Sequence, residues 1–374
     1  MDPILNTNAE RLIPIAEPWL GGEEASAVRQ TVVDNWISQG PLVKEFEHQM
    51  ALCTGKNYGS ACNSGTTALH LALHICDIQP GNEVIIPNLT MIALANAVLL
   101  AGATPVFVDA DVNSDVGNIS LEGIKEKISA KTKAIILVHT YGEPVEDIVE
   151  IIDHCKGMDI KIIEDCAESH FGKLDNKMLG SFGDLSVFSF YSNKNITTGE
   201  GGMVTTNKLY EKERLDRVRM HAFTPGQHFC HTERAFGYRM TDMQAAIGLE
   251  QLKKSTKFME RRRYIRRMYD EGLKDLHHMN IPKMAEGSAN WVMPLITMSN
   301  DDRDNLRHYL AHYGIESRTY FQPMHQQYFL TKYSNGDYPV SETLSECGLY
   351  IPLYPKLTDD DVKYIIEVLQ QERI

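Results

Sequence analysis

Two hydrophobic rhythms alternate along this chain. From about residue 60 to residue 210, short β-branched runs recur: Val84-Ile-Ile86, Thr104-Pro-Val-Phe-Val108, Ala134-Ile-Ile-Leu-Val138, Lys161-Ile-Ile163 and Leu185–Phe190. Between them lie segments of helical length and period, Thr66–Cys76, Leu121–Ala130 and Val145–Cys155. Strands that alternate with helices predict an α/β fold, a mainly parallel sheet with helices on both faces. The pattern then changes. A long charged segment, about Asp242 to Gly272, predicts a single helix whose Lys253, Lys254, Arg261, Arg262 and Arg263 form a solvated face between domains. The end of the chain reads as α+β: a strand near Trp291–Thr297, a helix over Asp301–Tyr313 and a closing helix over Asp359–Glu372. These patterns predict a large α/β domain over residues 1–250, with 1–12 as a loose polar tail, and a smaller α+β domain over 251–374.

Composition narrows the picture. The longest uncharged run, Val84 to Val108, is interrupted by Pro87, Asn88, Asn96, Gly102 and Pro105. It reads as a strand, a buried helix and a second buried strand, not as a membrane span. The first residues, Met1-Asp-Pro-Ile-Leu-Asn-Thr7, lack the basic-then-apolar pattern of a signal peptide. The seven cysteines (53, 62, 76, 155, 166, 230 and 347) are scattered and form no Cys-x-x-Cys pair. That usage fits a reducing, cytoplasmic setting. A net charge of −13 without a basic block argues against a nucleic-acid surface. His228, Cys230 and His231 lie close together but lack paired metal-ligand spacing, so no metal site is expected there.

Candidate chemistry concentrates on the run Val187-Phe-Ser-Phe-Tyr-Ser-Asn-Lys194-Asn-Ile-Thr-Thr-Gly-Glu-Gly-Gly-Met203. An alternating strand enters a turn of small polar residues, and a second strand-like run, Met203-Val-Thr-Thr206, follows. A lysine between two strands on such a turn is badly placed for packing and well placed for a Schiff base with an aldehyde cofactor. A lone loop lysine is usually just solvated; its company changes that. Strand Lys161-Ile-Ile163 ends in Glu164-Asp165, and ligands of open α/β sheets sit at the carboxyl ends of strands. A carboxylate there can pair with a pyridinium nitrogen and make the ring an electron sink, although Asp165 could equally cap a following helix. Ser64, Gly65 and Thr66 open a helix whose free N–H groups make a phosphate site, or an ordinary N-cap. Ser189, five residues before Lys194, could aim its hydroxyl at the same phosphate. The four features occur in the order that a pyridoxal 5′-phosphate (PLP) enzyme of the aspartate-aminotransferase fold requires.

With these residues in view, the chain resembles the DegT/DnrJ/StrS family of sugar aminotransferases over nearly its whole length. The resemblance is carried by Asp34-Asn-Trp-Ile-Ser-Gln-Gly40, Asn63-Ser-Gly-Thr-Thr-Ala-Leu-His70, Gly81-Asn-Glu-Val-Ile-Ile-Pro87, Gly102-Ala-Thr-Pro-Val-Phe-Val-Asp109 and His139-Thr-Tyr-Gly142. It continues through Glu164-Asp-Cys-Ala-Glu168, the block around Lys194, Gly237-Tyr-Arg-Met-Thr-Asp-Met-Gln-Ala-Ala246, Ile315-Glu-Ser-Arg318 and Pro323-Met-His325. The block around Lys194 is highly specific. The flavour is that of the perosamine-synthase-like members, which aminate C4 of a nucleotide-linked 4-keto-6-deoxyhexose.

The resemblance implies a PLP-dependent fold type I transferase with a large seven-stranded-type sheet and a smaller C-terminal α+β domain. It implies that Lys194 attaches the cofactor and Asp165 pairs with its ring nitrogen. Ser64, Gly65, Thr66 and Ser189 would hold the phosphate, and Glu168 would lie beside the ring. The Gly237–Arg239 loop would reach the site of a partner subunit, making the protein a homodimer. Trp36 and Ser38, with Arg239, Tyr320 and His325, would line the sugar-nucleotide side, and L-glutamate would be the amino donor. Two positions depart from the family pattern. Met91 stands where an aromatic usually stacks on the ring, and a thioether makes a weaker, more adaptable contact. Gly237 stands where an asparagine often donates to phosphate, which leaves its backbone N–H for that role. A related sugar dehydratase has histidine in place of the lysine, so Lys194 favours amino transfer over 3-dehydration. Amination at C3 and a non-catalytic PLP- or sugar-nucleotide-binding sensor are the other readings.

Overall fold

The computed structural model describes residues 11–227 and 229–372. His228 and the first ten residues of the expected tail lie outside these. A seven-stranded sheet is built from β1 (Tyr58–Cys62), β2 (Glu83–Pro87), β3 (Thr104–Val108), β4 (Thr132–Val138), β5 (Lys161–Asp165), β8 (Leu185–Ser189) and β9 (Gly202–Thr206). A small hairpin, β6 (Lys173–Leu174) and β7 (Lys177–Met178), separates β5 from β8. The sheet order is β1-β9-β8-β5-β4-β2-β3. β9 alone runs against the others. The expected mainly parallel sheet is therefore present, and the uncharged run resolves into β2, helix Ala93–Leu100 and β3.

Both faces of the sheet are buried, as side-chain alternation in covered strands demands. Val84, Ile86, Ile136, Ile163 and Val187 face one way, into a core shared with Leu69, Leu71 and Leu73 of helix Gly65–Ile75. Ile85, Ile135, Leu137 and Ile162 face the other way, against Ile148 and Ile151 of helix Ile148–Cys155. A second, antiparallel sheet comprises β10 (Met279–Asn280), β11 (Met293–Thr297), β12 (Arg318–Thr319) and β13 (Gly348–Ile351), in the order β10-β11-β13-β12. Helices Asn300–His312 and Asp359–Gln371 pack beside it through Leu306, Leu310, Val362, Ile365 and Leu369.

Helix Asp242–Leu273 links the two assemblies. Ala245 and Phe258 belong to a core of the large sheet, and Ile265, Tyr269 and Leu273 to that of the small one. The expected division at residue 250 falls inside this unbroken helix. One expectation about it is corrected. Arg262 is not on a solvated face: it is 2% exposed. Its Nη1 donates to the carbonyls of Asn290, Trp291 and Leu353 at 3.2, 2.9 and 2.6 Å. A guanidinium spreads several donors over one plane, so it can knit three loop carbonyls together where no helix or strand satisfies them. Burial pulls its ionisation down to about 9. No helix of the described residues is long and apolar enough to cross a membrane.

Candidate active site

The parallel strands deliver their carboxyl ends to one edge of the large sheet, and the functional side chains sit there. A cavity of about 430 Å³ at this edge is lined by Ser64, Gly65 and Thr66 after β1, Thr90 and Met91 after β2, and Asp165, Glu168, Ser189 and Lys194 after β5 and β8. Trp291, Arg318, Phe321 and Tyr350 close it from the small sheet. Eight of the sequence-predicted residues thus share one cavity: Ser64, Gly65, Thr66, Met91, Asp165, Glu168, Ser189 and Lys194.

The Lys194 turn is built by its small polar neighbours. The Phe190 carbonyl accepts from Thr198 N at 2.9 Å and from Thr197 Oγ1 at 3.0 Å, so the chain folds back on the end of β8. Gly199, at φ +80°, makes the return that a side chain would resist. The ammonium of Lys194 lies 3.5 Å from Glu168 Oε1 and 4.0 Å from the centroid of the Trp291 ring. The second Glu168 oxygen accepts from the Tyr141 N–H at 2.8 Å. Tyr141 adopts φ +54°, an uncommon conformation for a bulky residue, and its amide is thereby turned to the carboxylate. The Trp291 indole N–H donates to the Asn193 carbonyl at 2.8 Å, which ties the aromatic wall to the lysine's own turn.

Asp165 ends β5 and caps no helix. The following residues bend instead, and the Ala167 N–H donates to Oδ1 at 2.9 Å. Burial lifts its ionisation to about 6; the Ala167 N–H and Lys194 oppose the rise and the charge of Glu168 adds to it. Burial also raises Glu168, against the pull of Lys194. Two buried carboxyls near one ammonium form an electrostatically uneasy group that welcomes added positive charge.

At the other end of the cavity, Ser64 spends its hydroxyl on the Thr67 N–H, at 3.2 Å, as an N-cap. Among the described residues, no hydrogen bond of the chain engages the N–H groups of Gly65 and Thr66. They stand at the positive end of helix Gly65–Ile75. A Cβ on Gly65 would lie 2.8 Å from Ser189 Cβ, so glycine is what lets the helix start and the strand-end serine meet. An anion seat at one end, a buried carboxylate deep in the cavity and a lysine at its wall fit pyridoxal phosphate.

The remaining predicted residues lie outside the lining of this cavity. Trp36 and Ser38 are in a loop docked on the start of the long helix, where the Asp242 N–H donates to the Ser38 carbonyl at 2.8 Å. Arg239 pairs with Cys62 at the end of β1, and Gly237 pairs with Met220. Tyr320 is buried and donates its hydroxyl to the Asp115 carbonyl at 3.2 Å. His325 is held by Asn88 and by Glu342 Oε1, the latter at 2.9 Å, and stacks on Tyr338.

The aromatic wall itself is the part that residue-by-residue reasoning missed. Tyr141 packs on Tyr320 and Phe321 with centroids 4.8 and 5.4 Å away, and Trp291 faces Tyr350 at 6.2 Å. Behind β5, His139, Glu164 and Cys166 bring ligand-type atoms within 4.8 Å of one another. They serve structure instead. His139 Nδ1 accepts from Val145 N and its Nε2 faces Glu164 Oε2 at 3.3 Å. Glu164 also takes the N–H groups of Gly180, Phe182 and Gly183. Burial pushes the Glu164 carboxyl up, but the His139 contact and these N–H groups outweigh it and hold the ionisation below its usual value.

The fold and this site define a PLP-dependent aminotransferase of the fold type I class, and comparison with known proteins agrees. The model of the DegT/DnrJ/EryC1/StrS aminotransferase family matches residues 18–370, and the chain belongs to that family. It is 37% identical over 363 residues to the GDP-perosamine synthase of Escherichia coli O157:H7, covering 96% of this chain and 98% of that one. It is 35% identical to the GDP-perosamine synthase of Vibrio cholerae, over 96% of this chain and 98% of the relative. Among solved structures, the PLP form of a putative sugar aminotransferase from Streptococcus pneumoniae superposes with a TM-score of 0.89, at 27% identity and coverage of 96% and 97%. The chain is thus a PLP-dependent aminotransferase of this family.

Proposed function

We propose that this enzyme transfers the amino group of L-glutamate to C4 of a nucleotide-linked 4-keto-6-deoxyhexose, with GDP-4-keto-6-deoxymannose as substrate and GDP-perosamine as product. One observation carries the reading. An intact lysine–aspartate pair lines the cavity of a chain that matches GDP-perosamine synthases over 96% of its length. The bound cofactor supplies an electron sink for the pair left when the donor loses its Cα proton.

The chain supplies the rest. Asp165 holds negative charge at the deep end, where it favours a protonated ring nitrogen. Gly65 and Thr66 N–H groups, with Ser189, seat the phosphate. Lys194, displaced by the incoming amine, takes the proton from the donor's Cα as general base. Glu168 and the Trp291 face hold that side chain close by while it is free. 2-Oxoglutarate would leave at the end of the first half-reaction; in the second the same amine would deliver a proton to C4 of the sugar, which would leave as the 4-amino sugar. Lysine here, in place of histidine, disfavours 3-dehydration.

The test is to incubate the protein and L-glutamate with a panel of GDP-, UDP- and dTDP-linked 4-keto and 3-keto sugars. We expect GDP-perosamine and 2-oxoglutarate in equal amounts. An amino product from 3-keto sugars alone, or loss of oxygen at C3, would overturn the reading. A site shared between two subunits is part of the proposal. It is supported by Arg239 and the Trp36 loop lying outside the chain's own cavity, and by exposed Val32, Val33, Trp36 and Ile37 along one stretch. Mixing inactive Lys194→Ala and Arg239→Ala proteins should then restore activity through hybrid dimers.

A further inference from the structure

A second cavity, of about 750 Å³, shares no lining residue with the catalytic one. It is a groove between the β6–β7 hairpin, the middle of the long helix Asp242–Leu273 and the segment 284–290. Close approach of two of these walls fixes its shape. The Lys173 N–H donates to the Gly287 carbonyl at 2.7 Å. A Cβ at Gly287 would lie 2.0 Å from the Lys173 carbonyl oxygen, so glycine is what lets the hairpin and the segment meet. Asn290 lines the groove and its chain neighbour Trp291 lines the catalytic cavity, so the two spaces adjoin through one peptide.

Two side chains of the groove are buried with polar atoms unspent. Arg266 is 6% exposed. Its Nε donates to Asp270 Oδ1 at 2.7 Å and its Nη2 to the Pro282 carbonyl, but Nη1 has no partner among the described residues. Asn290 is 5% exposed. Its Nδ2 donates to the Ser288 carbonyl at 3.1 Å, and its Oδ1 has no partner among the described residues. Buried polar groups are nearly always satisfied, so a donor and an acceptor left open in one groove call for a ligand that offers both. The remaining charges of the groove point the same way. Lys173, Arg263 and Arg267 form no ion pair among the described residues, and neither do Asp175 and Glu286. Cations without a carboxylate partner suit phosphate oxygens. Open carboxylates and the Asn290 oxygen suit hydroxyl and amino hydrogens. Phosphate at one end and ribose and base at the other meet both needs. The volume is that of a pocket for such a molecule and far exceeds what an inorganic anion fills.

We propose that this groove binds a nucleoside diphosphate, separately from the catalytic cavity. The holoenzyme is irradiated with photoreactive azido derivatives of GDP, UDP and ADP, and the labelled peptides are identified by mass spectrometry. At least one nucleotide should mark peptides spanning 173–176, 263–270 or 284–290, and the same nucleotide without the azide should suppress the mark. Inorganic pyrophosphate should need at least about tenfold more, because it offers no hydrogen to the carboxylates or to Asn290. In the Arg263→Gln/Arg267→Gln variant the suppressing affinity should fall about 10- to 100-fold, the range expected for lost charged hydrogen bonds. Labelling within the catalytic cavity should be unchanged. Lys173→Gln, on the opposite wall, should give a smaller loss in the same direction. All three side chains lack ion pairs, so thermal unfolding of these variants should match the parent. Labelling requires no turnover, so its outcome is independent of the substrate proposed above. Label confined to the catalytic cavity with all three nucleotides would overturn the proposal. So would equal suppression by pyrophosphate, or an affinity that ignores the arginine substitutions.

Discussion

Replacing Asp165 with asparagine should make the apoenzyme more stable and the enzyme nearly inert. Asp165 is 4% exposed. Burial raises its ionisation from the ordinary 3.8 to about 6. At about 1.4 kcal/mol for each pH unit, that gap makes the charged side chain cost the folded apoenzyme about 3 kcal/mol. The sign follows from proton counting. Between about pH 4 and about pH 6 the unfolded chain has released this proton while the folded chain keeps it, so stability contributed by this group falls as pH rises through that window and is level above it. Asparagine keeps an oxygen for the Ala167 N–H and carries no charge. Urea unfolding of both apoproteins should therefore show Asp165→Asn ahead by about 2–3 kcal/mol at pH 8, with the advantage shrinking as the pH is lowered through 5. Saturating pyridoxal phosphate should reverse the order, because only the aspartate gains a cationic partner. A variant that is less stable than the parent at pH 8, or a difference that ignores pH, would refute this account of the buried carboxylate.

Lys194→Ala should still bind pyridoxal phosphate but without covalent attachment, read as the absence of a borohydride-fixed adduct by mass spectrometry, and should lose turnover; full activity would remove the lysine from the mechanism. Gly65→Ala would force a methyl to 2.8 Å from Ser189 Cβ, and the resulting overpacking of about 1–3 kcal/mol should appear as at least tenfold weaker cofactor binding in a fluorescence titration. Affinity of the apoenzyme for pyridoxal phosphate should fall as pH drops below about 6, the value at which buried Asp165 gains its proton, and Asp165→Asn should flatten that profile. Arg219→Met should destabilise the fold by about 3–5 kcal/mol, seen in thermal unfolding, because it removes one of the two cations, Arg219 and Lys212, that pair the buried Glu47 carboxylate.

Much of this architecture was legible in local pattern. The strands from Val84 to Phe190 announce themselves as β-branched runs because both faces of their sheet are covered, and burial leaves that signal in the sequence. Lys194, Asp165 and the Ser64–Thr66 helix start were legible because each ends or begins a regular element, where chemistry and periodicity are read together. The aromatic wall was not. Tyr141, Trp291, Phe321 and Tyr350 come from separate segments, and each looks locally like core. Trp291 in particular reads as the first residue of a strand, whereas β11 begins at Met293 and the indole turns to the lysine loop. Arg262 was misread for a similar reason. In a run of basic residues every member looks solvated, and only the tertiary fold brings three carbonyls to one of them.

The same considerations explain why the unfavourable features of the molecule cluster at one edge. Asp165 and Glu168 are buried with their ionisation pushed upward, Tyr141 is held at a positive φ, and the Gly65–Thr66 amides face the cavity without a partner among the described residues. None of these stabilises the apoprotein. Each presents something that pyridoxal phosphate can use: a carboxylate for a cationic ring nitrogen, an amide that fixes the neighbour of the lysine, donors for a phosphate. The cores on either face of the large sheet, closed by Leu71, Phe107, Ile135 and Leu137, supply the stability that tolerates them. Cofactor binding should therefore raise folding stability most for the parent enzyme, and least for variants in which one of these features has been relaxed.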